Sequence, residues 1–66
     1  KETNILTSND KLKSVFVYDR QGNFKKKFDS SERNIKIETV NLASGIYFVK
    51  IISSENNYID KFVVIH

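Results

Sequence analysis

The 66-residue sequence contains no cysteine, no proline and no tryptophan, and it has only two glycines and one histidine. Without cysteine, neither a disulfide nor a cysteine-ligated zinc can stabilise the fold, and the composition does not indicate the redox compartment. A chain of this length buries only about 60% of its unfolded surface. We therefore expect one small domain that depends on its hydrophobic core alone.

The scarcity of catalytic residue types argues against an enzyme. The single histidine is His66, the last residue of the sequence. A general base at that position would lack a fixed partner, so we interpret His66 as a solvated end. The two glycines, Gly22 and Gly45, are too far apart to form a phosphate-binding loop. The carboxylates lack the alternate-position spacing of a calcium loop. We expect no catalytic residue, cofactor, metal or small-molecule substrate.

Long apolar runs are also missing. None approaches the roughly 18 residues of a membrane span, and the amino-terminal segment KETNILTSND lacks the apolar core of a secretion signal. Eleven basic and eight acidic residues give a net charge of +3, which fits weak attraction to anionic surfaces without requiring it.

The segment FKKKF, Phe24 to Phe28, raises the possibility of nucleic-acid binding. Lysines could contact phosphates while phenylalanines stack on bases. Strand alternation, however, turns both phenylalanines toward the core, and lysine is the usual residue for protecting an exposed strand edge. We therefore expect Lys25, Lys26 and Lys27 to be mostly solvated, and we expect no nucleic-acid partner.

Abundant β-branched and aromatic residues in period-2 alternation indicate an all-β chain. Hydrophobic residues make up 39% of the sequence, including five Phe and three Tyr. Turn-forming segments such as TSND, DRQGN and SSENN separate the apolar runs. The pattern predicts one small antiparallel immunoglobulin-like β-sandwich of about six to seven strands, in which neighbouring strands follow one another along the chain.

Two kinds of strand are distinguished by their alternation. Ile35 and Ile37 alternate with charged residues, which predicts a half-exposed strand. The segments Leu12 to Tyr18 and Ile46 to Ile52 are apolar on both faces, so we expect burial on both sides, and the latter forms the clearest hairpin with Tyr58 to Ile65. The predicted buried set is Phe16, Phe48, Val49, Ile51 and Val63.

Three motifs follow one another in a fixed order. The first contains Tyr18, Asp19 and Gly22; the second contains Leu42, Gly45, Tyr47, Val49 and Ile51; the third contains Lys61, Val63 and Val64. In this order they resemble the type A carboxyl-terminal sorting domain of the type IX secretion system of Bacteroidota. The resemblance covers about Leu12 to His66. That family usually begins with a yPNP segment, and since proline is absent we expect an upstream strand segment to be missing from residues 1–66.

The resemblance implies a secretion signal and not an enzyme. Such a domain ends a larger precursor whose N-terminal domains are the cargo. The type IX translocon and its shuttle recognise it in the periplasm, and a sortase-like peptidase often removes it once the cargo reaches the cell surface or is secreted. The translocon-recognition residues implied here are Gly45, Tyr47, Val49, Lys61, Val63 and Val64.

Physical roles for four matched residues can be stated. Gly45 allows a sharp turn into its strand, Leu42 packs beneath that turn, and the hydroxyl of Tyr47 can reach a partner at a sheet rim. Lys61 is either a protecting residue on an edge strand or a contact for the export machinery.

A second function from another class is an immunoglobulin-like accessory or adhesive module that binds carbohydrate or protein at the cell surface. Carbohydrate binding needs exposed coplanar aromatic rings. Tryptophan is absent, and most Phe and Tyr residues fall on predicted core faces, so the sorting signal is favoured.

Overall fold

The computed structural model describes residues 2–7, 11–54 and 56–66, all without helix. The predicted turn at residues 7–10 therefore lies mostly outside the described residues, as does position 55 of the predicted 53–57 turn. Six antiparallel strands form two sheets, which confirms the all-β prediction and its strand number. In chain order they are β1 (Glu2–Leu6), β2 (Lys13–Asp19), β3 (Phe24–Ser30), β4 (Asn34–Glu38), β5 (Gly45–Ser53) and β6 (Asn57–Val64).

The described residues include no helix long and apolar enough to cross a membrane.

The two sheets differ in size and connection. One sheet has four strands in the order β3-β2-β5-β6, and the other pairs β1 with β4. The prediction that sequential strands pair is correct for β2–β3 and β5–β6 and wrong for the rest. The reason is that a single sheet would leave its apolar face uncovered, so β1 and β4 leave it and pair over the core as a second layer.

The core lies between the two sheets. Val15, Val17 and Val49 project from the large sheet, while Ile35 and Ile37 project from β4, and all five are fully buried. Burying a Val or Ile side chain contributes about 1.5–3 kcal/mol, so these residues dominate the stability of the domain. The predicted inward orientation of Ile35 and Ile37 and the predicted burial of Val49 and Ile51 are confirmed. The remaining buried hydrophobics are Ile5, Leu42, Tyr47, Ile51, Phe62 and Val64.

The other face of the large sheet is uncovered. Phe48 and Val63 were predicted to be buried, yet they are 38% and 56% exposed, and Phe16 is only half-buried. Runs that are apolar on both faces usually mark strands covered on both sides. Here the described residues supply a second layer on the inner face alone, so the prediction of two-sided burial is wrong.

A β-bulge changes the direction of Phe24. Val17 lies opposite Lys26, whereas Tyr18 lies opposite Phe24, so Lys25 is an extra residue in β3. Because one added residue turns a side chain to the other face of the sheet, Phe24 leaves the core side predicted for it and is 58% exposed. Its ring meets Tyr18 edge-on at 6.0 Å between centroids. Phe28, beyond the bulge, does pack against the core as predicted.

Two lysines are bound by backbone carbonyls near the core. Lys13 is buried, and its Nζ donates to the carbonyls of Lys11 and Glu32 at 2.6 and 3.3 Å. Lys26 is half-buried, and its Nζ donates to the Glu38 carbonyl of β4 at 2.8 Å. The expectation that the lysine triplet is solvated therefore holds for its outer two members and is wrong for Lys26.

Candidate functional site

Tyr47, at the centre of the second motif, holds the loop before β5. Its ring is buried against Phe62, with stacked planes 5.6 Å apart at the centroids. Its hydroxyl donates to the Ala43 carbonyl at 2.7 Å. The partner expected for this hydroxyl thus lies within the chain, four residues upstream. This arrangement resembles the tyrosine corner of immunoglobulin-type sandwiches, in which a tyrosine hydroxyl bonds the backbone a few residues earlier.

Gly45 and Leu42 shape the same loop. Gly45 has φ of +154°, a value that other residues rarely adopt. No atom lies within 4 Å of a Cβ added there, so the backbone angle and not crowding accounts for the glycine. Leu42 is buried, as predicted, and its N–H donates to the Thr39 carbonyl at 3.0 Å.

The last residue is bound to this loop as well. The backbone N–H of His66 donates to Ser44 Oγ at 3.2 Å, and its ring Nε2 lies 2.6 Å from the Leu42 carbonyl oxygen. Since a carbonyl only accepts, Nε2 is the donor in this contact. The prediction of an unattached solvated end for His66 is therefore wrong: the residue is exposed, yet two hydrogen bonds attach it to the segment that enters β5.

The first motif closes the β2–β3 hairpin. Asp19 Oδ1 accepts the backbone N–H groups of Gln21 and Asn23 at 2.9 and 2.8 Å, and Gly22 has the positive φ of +88° expected of it. The backbone N–H of Asn23 is the largest influence that lowers the pKa of Asp19 below its ordinary value of 3.8, and the Lys25 ammonium contributes a smaller share. These residues therefore serve the turn.

The exposed side of the large sheet, here called the outer face, combines apolar groups with lysines. Cross-strand pairing places Phe16 between Lys27 and Lys50, and places Phe48 between Tyr18 and Lys61. Lys27 Nζ lies 5.8 Å from the centre of the Phe16 ring. The outer face comprises Ser14, Phe16, Tyr18, Phe24, Lys27, Asp29, Ile46, Phe48, Lys50, Ile52, Asn57, Ile59, Lys61 and Val63.

The six residues predicted for recognition fall on different sides of the β5–β6 hairpin. Lys61 and Val63 lie on the outer face and are exposed. Gly45 begins β5 and is half-buried. The other three, Tyr47, Val49 and Val64, are buried on the inner face. Sequence reasoning missed the exposed neighbours of Lys61 because it assigned that whole face to the core.

The inner face of β6 is uncovered at one end. Tyr58 and Asp60 lie opposite Ile51 and Val49 on that face, yet both are exposed. A groove runs from Leu6 and Thr7, at the end of β1, to Ile51 and Tyr58. The two-stranded sheet is therefore too narrow to cover the four-stranded one.

Comparison with known families identifies this sandwich. Residues 1–65 match the family described as the secretion system C-terminal sorting domain. The match spans nearly the whole chain, and the chain therefore belongs to this family of type IX secretion sorting domains. Neither the curated proteins nor the solved structures gave a match.

Membership defines what the domain does in outline. It is a C-terminal sorting signal of type IX secretion, a family of signals and not of enzymes. It interacts with the type IX machinery, is attached to a cargo precursor and directs export across the outer membrane to the surface or the medium. The adhesive-module alternative gains no support from the match.

Proposed function

We propose that this domain is the export signal of a larger precursor in a member of the Bacteroidota. The translocon and its shuttle recognise it in the periplasm, the cargo domains that precede it carry the activity, and a sortase-like peptidase removes it after passage. The observation that carries this proposal is the family match over residues 1–65. A small sandwich without cysteine fits a signal that must work independently of its cargo.

We divide the recognition residues by their position. In this proposal Lys61 and Val63 touch the export machinery, because both are exposed on the outer face. Tyr47, Val49 and Val64 act indirectly: they pack on the inner face and hold β5 and β6 in place. Gly45 acts through the backbone angle with which β5 begins.

We further propose that a strand segment upstream of residue 1 completes the smaller sheet. Among the described residues β1 pairs with β4 alone, and we propose that the segment pairs with the other edge of β1. A strand on that edge would extend the layer over the groove that Leu6, Ile51 and Tyr58 line. Restoring the segment should therefore stabilise the domain and protect Tyr58 from solvent.

The test is an export assay. The domain, with the upstream segment restored, is fused to the carboxyl end of a periplasm-targeted reporter in a host with the type IX system. We expect the reporter outside the cell, and we expect deletion of Tyr58 to His66 to abolish export. The deletion removes strand β6, the partner of β5, together with Lys61 and Val63. Export of the deleted fusion at the level of the intact one would refute the proposed function.

A further inference from the structure

We propose that the outer face is the docking surface of this domain, and that its occupant is an apolar protein surface carrying carboxylates. The inference deepens the proposed function and rests on it, because the occupant would be a component of the export machinery. It assigns a binding role to residues such as Phe48, Lys50 and Ile59, which lie outside the recognition set predicted from the sequence.

Several large apolar side chains of the outer face are exposed to solvent. Ile59 is 69% exposed, and Phe24, Phe48 and Val63 are exposed as well. Tyr18 on β2 lies between Phe24 and Phe48, and Ile46 lies beside Val63, so apolar residues adjoin one another across this single sheet. Soluble domains rarely leave large contiguous apolar patches exposed unless another molecule covers them.

The charged part of the outer face has one dominant sign. Lys27, Lys50 and Lys61 are distributed over three strands. Among the described residues of this face the one carboxylate is Asp29, at a corner, where it lies 3.7 Å from Lys27 Nζ. Within the described part of the chain, neither Lys50 nor Lys61 forms an ion pair.

The spacing of the lysines indicates where the carboxylates of a partner would lie. Adjacent strands lie about 4.8 Å apart and alternate residues about 7 Å apart along a strand. Lys50 and Lys61 occupy adjacent strands and successive rows, and Lys27 is two strands from Lys50. At the side-chain base, Lys50 is thus about 8–10 Å from Lys61 on one side and from Lys27 on the other. A complementary partner carries carboxylates at that separation around an apolar centre. Each carboxylate would then pair with a lysine as water leaves the interface.

The geometry favours a protein over a membrane as the occupant. An element that binds a bilayer buries its apolar side about 5–10 Å deep in the interface while its basic residues stay at the headgroups. On the outer face the lysines are interleaved with the phenylalanines on one sheet, and lysine is the longer side chain. Full insertion of Phe16 or Phe48 would therefore carry Lys50 into the acyl region, whereas a carboxylate on a protein partner can meet it in place.

The first experiment reverses the charges. In the export assay, the double substitution Lys50→Glu/Lys61→Glu should reduce export at least about tenfold, because like charges would then face each other across the interface. Lys50→Arg/Lys61→Arg should retain export. The matched control, Arg33→Glu/Lys36→Glu, makes the same change of charge at exposed positions outside the outer face and should export like the parent. Thermal melting verifies that each variant folds.

A second variant removes apolar surface without touching the core. Ile59→Ser should also reduce export severalfold, since Ile59 is among the most exposed apolar residues of the outer face. Parent-level export by both folded variants overturns the docking surface but leaves the proposed function intact. Failure of the unmodified fusion to be exported would instead refute the proposed function itself.

The occupant is identified by photocrosslinking in exporting cells. A photoreactive residue at Ile59 should crosslink to a type IX component, and one at Lys36 should not; Lys50→Glu/Lys61→Glu should abolish the crosslink. Equal crosslinking from both positions, or crosslinking from neither, overturns the proposal. Vesicles of phosphatidylcholine with about one-third phosphatidylglycerol test the membrane alternative: co-sedimentation of the intact domain that is lost on Lys50→Glu/Lys61→Glu would assign the face to lipid and overturn a protein occupant.

Discussion

The hydroxyl of Tyr47 offers a sharp test of how the sorting motif works. Replacing Tyr47 with Phe keeps the buried ring and its stacking on Phe62 and removes a single hydrogen bond, the 2.7 Å contact with the Ala43 carbonyl. Ala43 is an exposed residue, and we therefore expect water to hydrate its carbonyl after the substitution. The change thus isolates the contribution of the bond that holds the loop to strand β5.

The expected loss follows from that exposure. The net contribution of one hydrogen bond to folding stability is about 0.5–1.5 kcal/mol. Because water hydrates the Ala43 carbonyl once the hydroxyl is gone, we add no penalty for a buried acceptor without a partner. For a domain of 60–100 residues each kcal/mol corresponds to about 4–8 °C in melting temperature. We therefore expect Tyr47→Phe to melt roughly 2–12 °C below the parent. A chain of this size has a total stability of only about 3–10 kcal/mol, so the loss is readily measured.

Thermal unfolding followed by circular dichroism provides the assay, and Tyr58→Phe is the matched control. Tyr58 is exposed and its hydroxyl has a long 3.4 Å contact with Asp60, so its loss should change the stability by no more than about 0.5 kcal/mol. Tyr47→Ala, which also removes the ring, should cost about 3–5 kcal/mol and leave little folded protein. If Tyr47→Phe melts together with Tyr58→Phe and the parent, the hydroxyl does not hold the loop and the reasoning is refuted.

Four further predictions concern other parts of the domain. Lys61→Ala should change the stability by no more than about 0.5 kcal/mol yet lower export; unchanged stability with normal export would show that Lys61 only protects an edge strand. Gly45→Ala should cost about 1–2 kcal/mol by denaturant unfolding, since a positive φ is strained for alanine, and a neutral result would contradict the assigned backbone role. The lowered pKa of Asp19 means that its stabilisation is fully present above the unfolded pKa and is lost as pH falls through the folded pKa. The difference in melting temperature between the parent and Asp19→Asn should therefore be largest near neutrality and disappear in strong acid, whereas a constant difference would exclude the charge as its cause. Finally, fluorescence anisotropy at physiological salt should show nucleic-acid binding no tighter than about 10⁻⁴ M; micromolar, sequence-selective binding would contradict the structural role of the lysine triplet.

The two explanations of Lys61 left open by the sequence are not exclusive. The residue lies on β6, which is an edge of the four-stranded sheet, and lysine there discourages pairing with another strand. Its side chain also projects from the outer face beside Phe48, where a docked partner would meet it. Export measured with Lys61→Ala, alongside its stability, separates these contributions.

Much of the fold was predictable because strand alternation is a local property. The charged residues that alternate with Ile35 and Ile37, namely Lys36 and Glu38, indicated which side of β4 faces inward, and the turn at Gly22 required a positive φ, which the structure shows. The family resemblance also rested on local motifs, and the match over residues 1–65 confirms it at the level of the type IX sorting domain.

The candidate site was harder to predict because burial depends on distant segments. Alternation indicates that Phe16, Phe48 and Val63 face one way, but it does not say whether another layer covers them. That was decided by the pairing of β1 with β4 over the opposite face, a contact between segments about 30 residues apart. The bulge at Lys25 likewise arises from the register between two strands, and it turned Phe24 outward.

The sequence by itself determined the strands, their turns and the family, since each depends on residues that are close along the chain. Only the tertiary structure decided that Lys13 is buried with its ammonium on backbone carbonyls and that His66 contacts the loop before β5. It also decided that the apolar side bearing Phe48 and Val63 is exposed. The physical reason is that hydrophobicity fixes which side chains share a face, whereas the packing of remote strands fixes which face is removed from water.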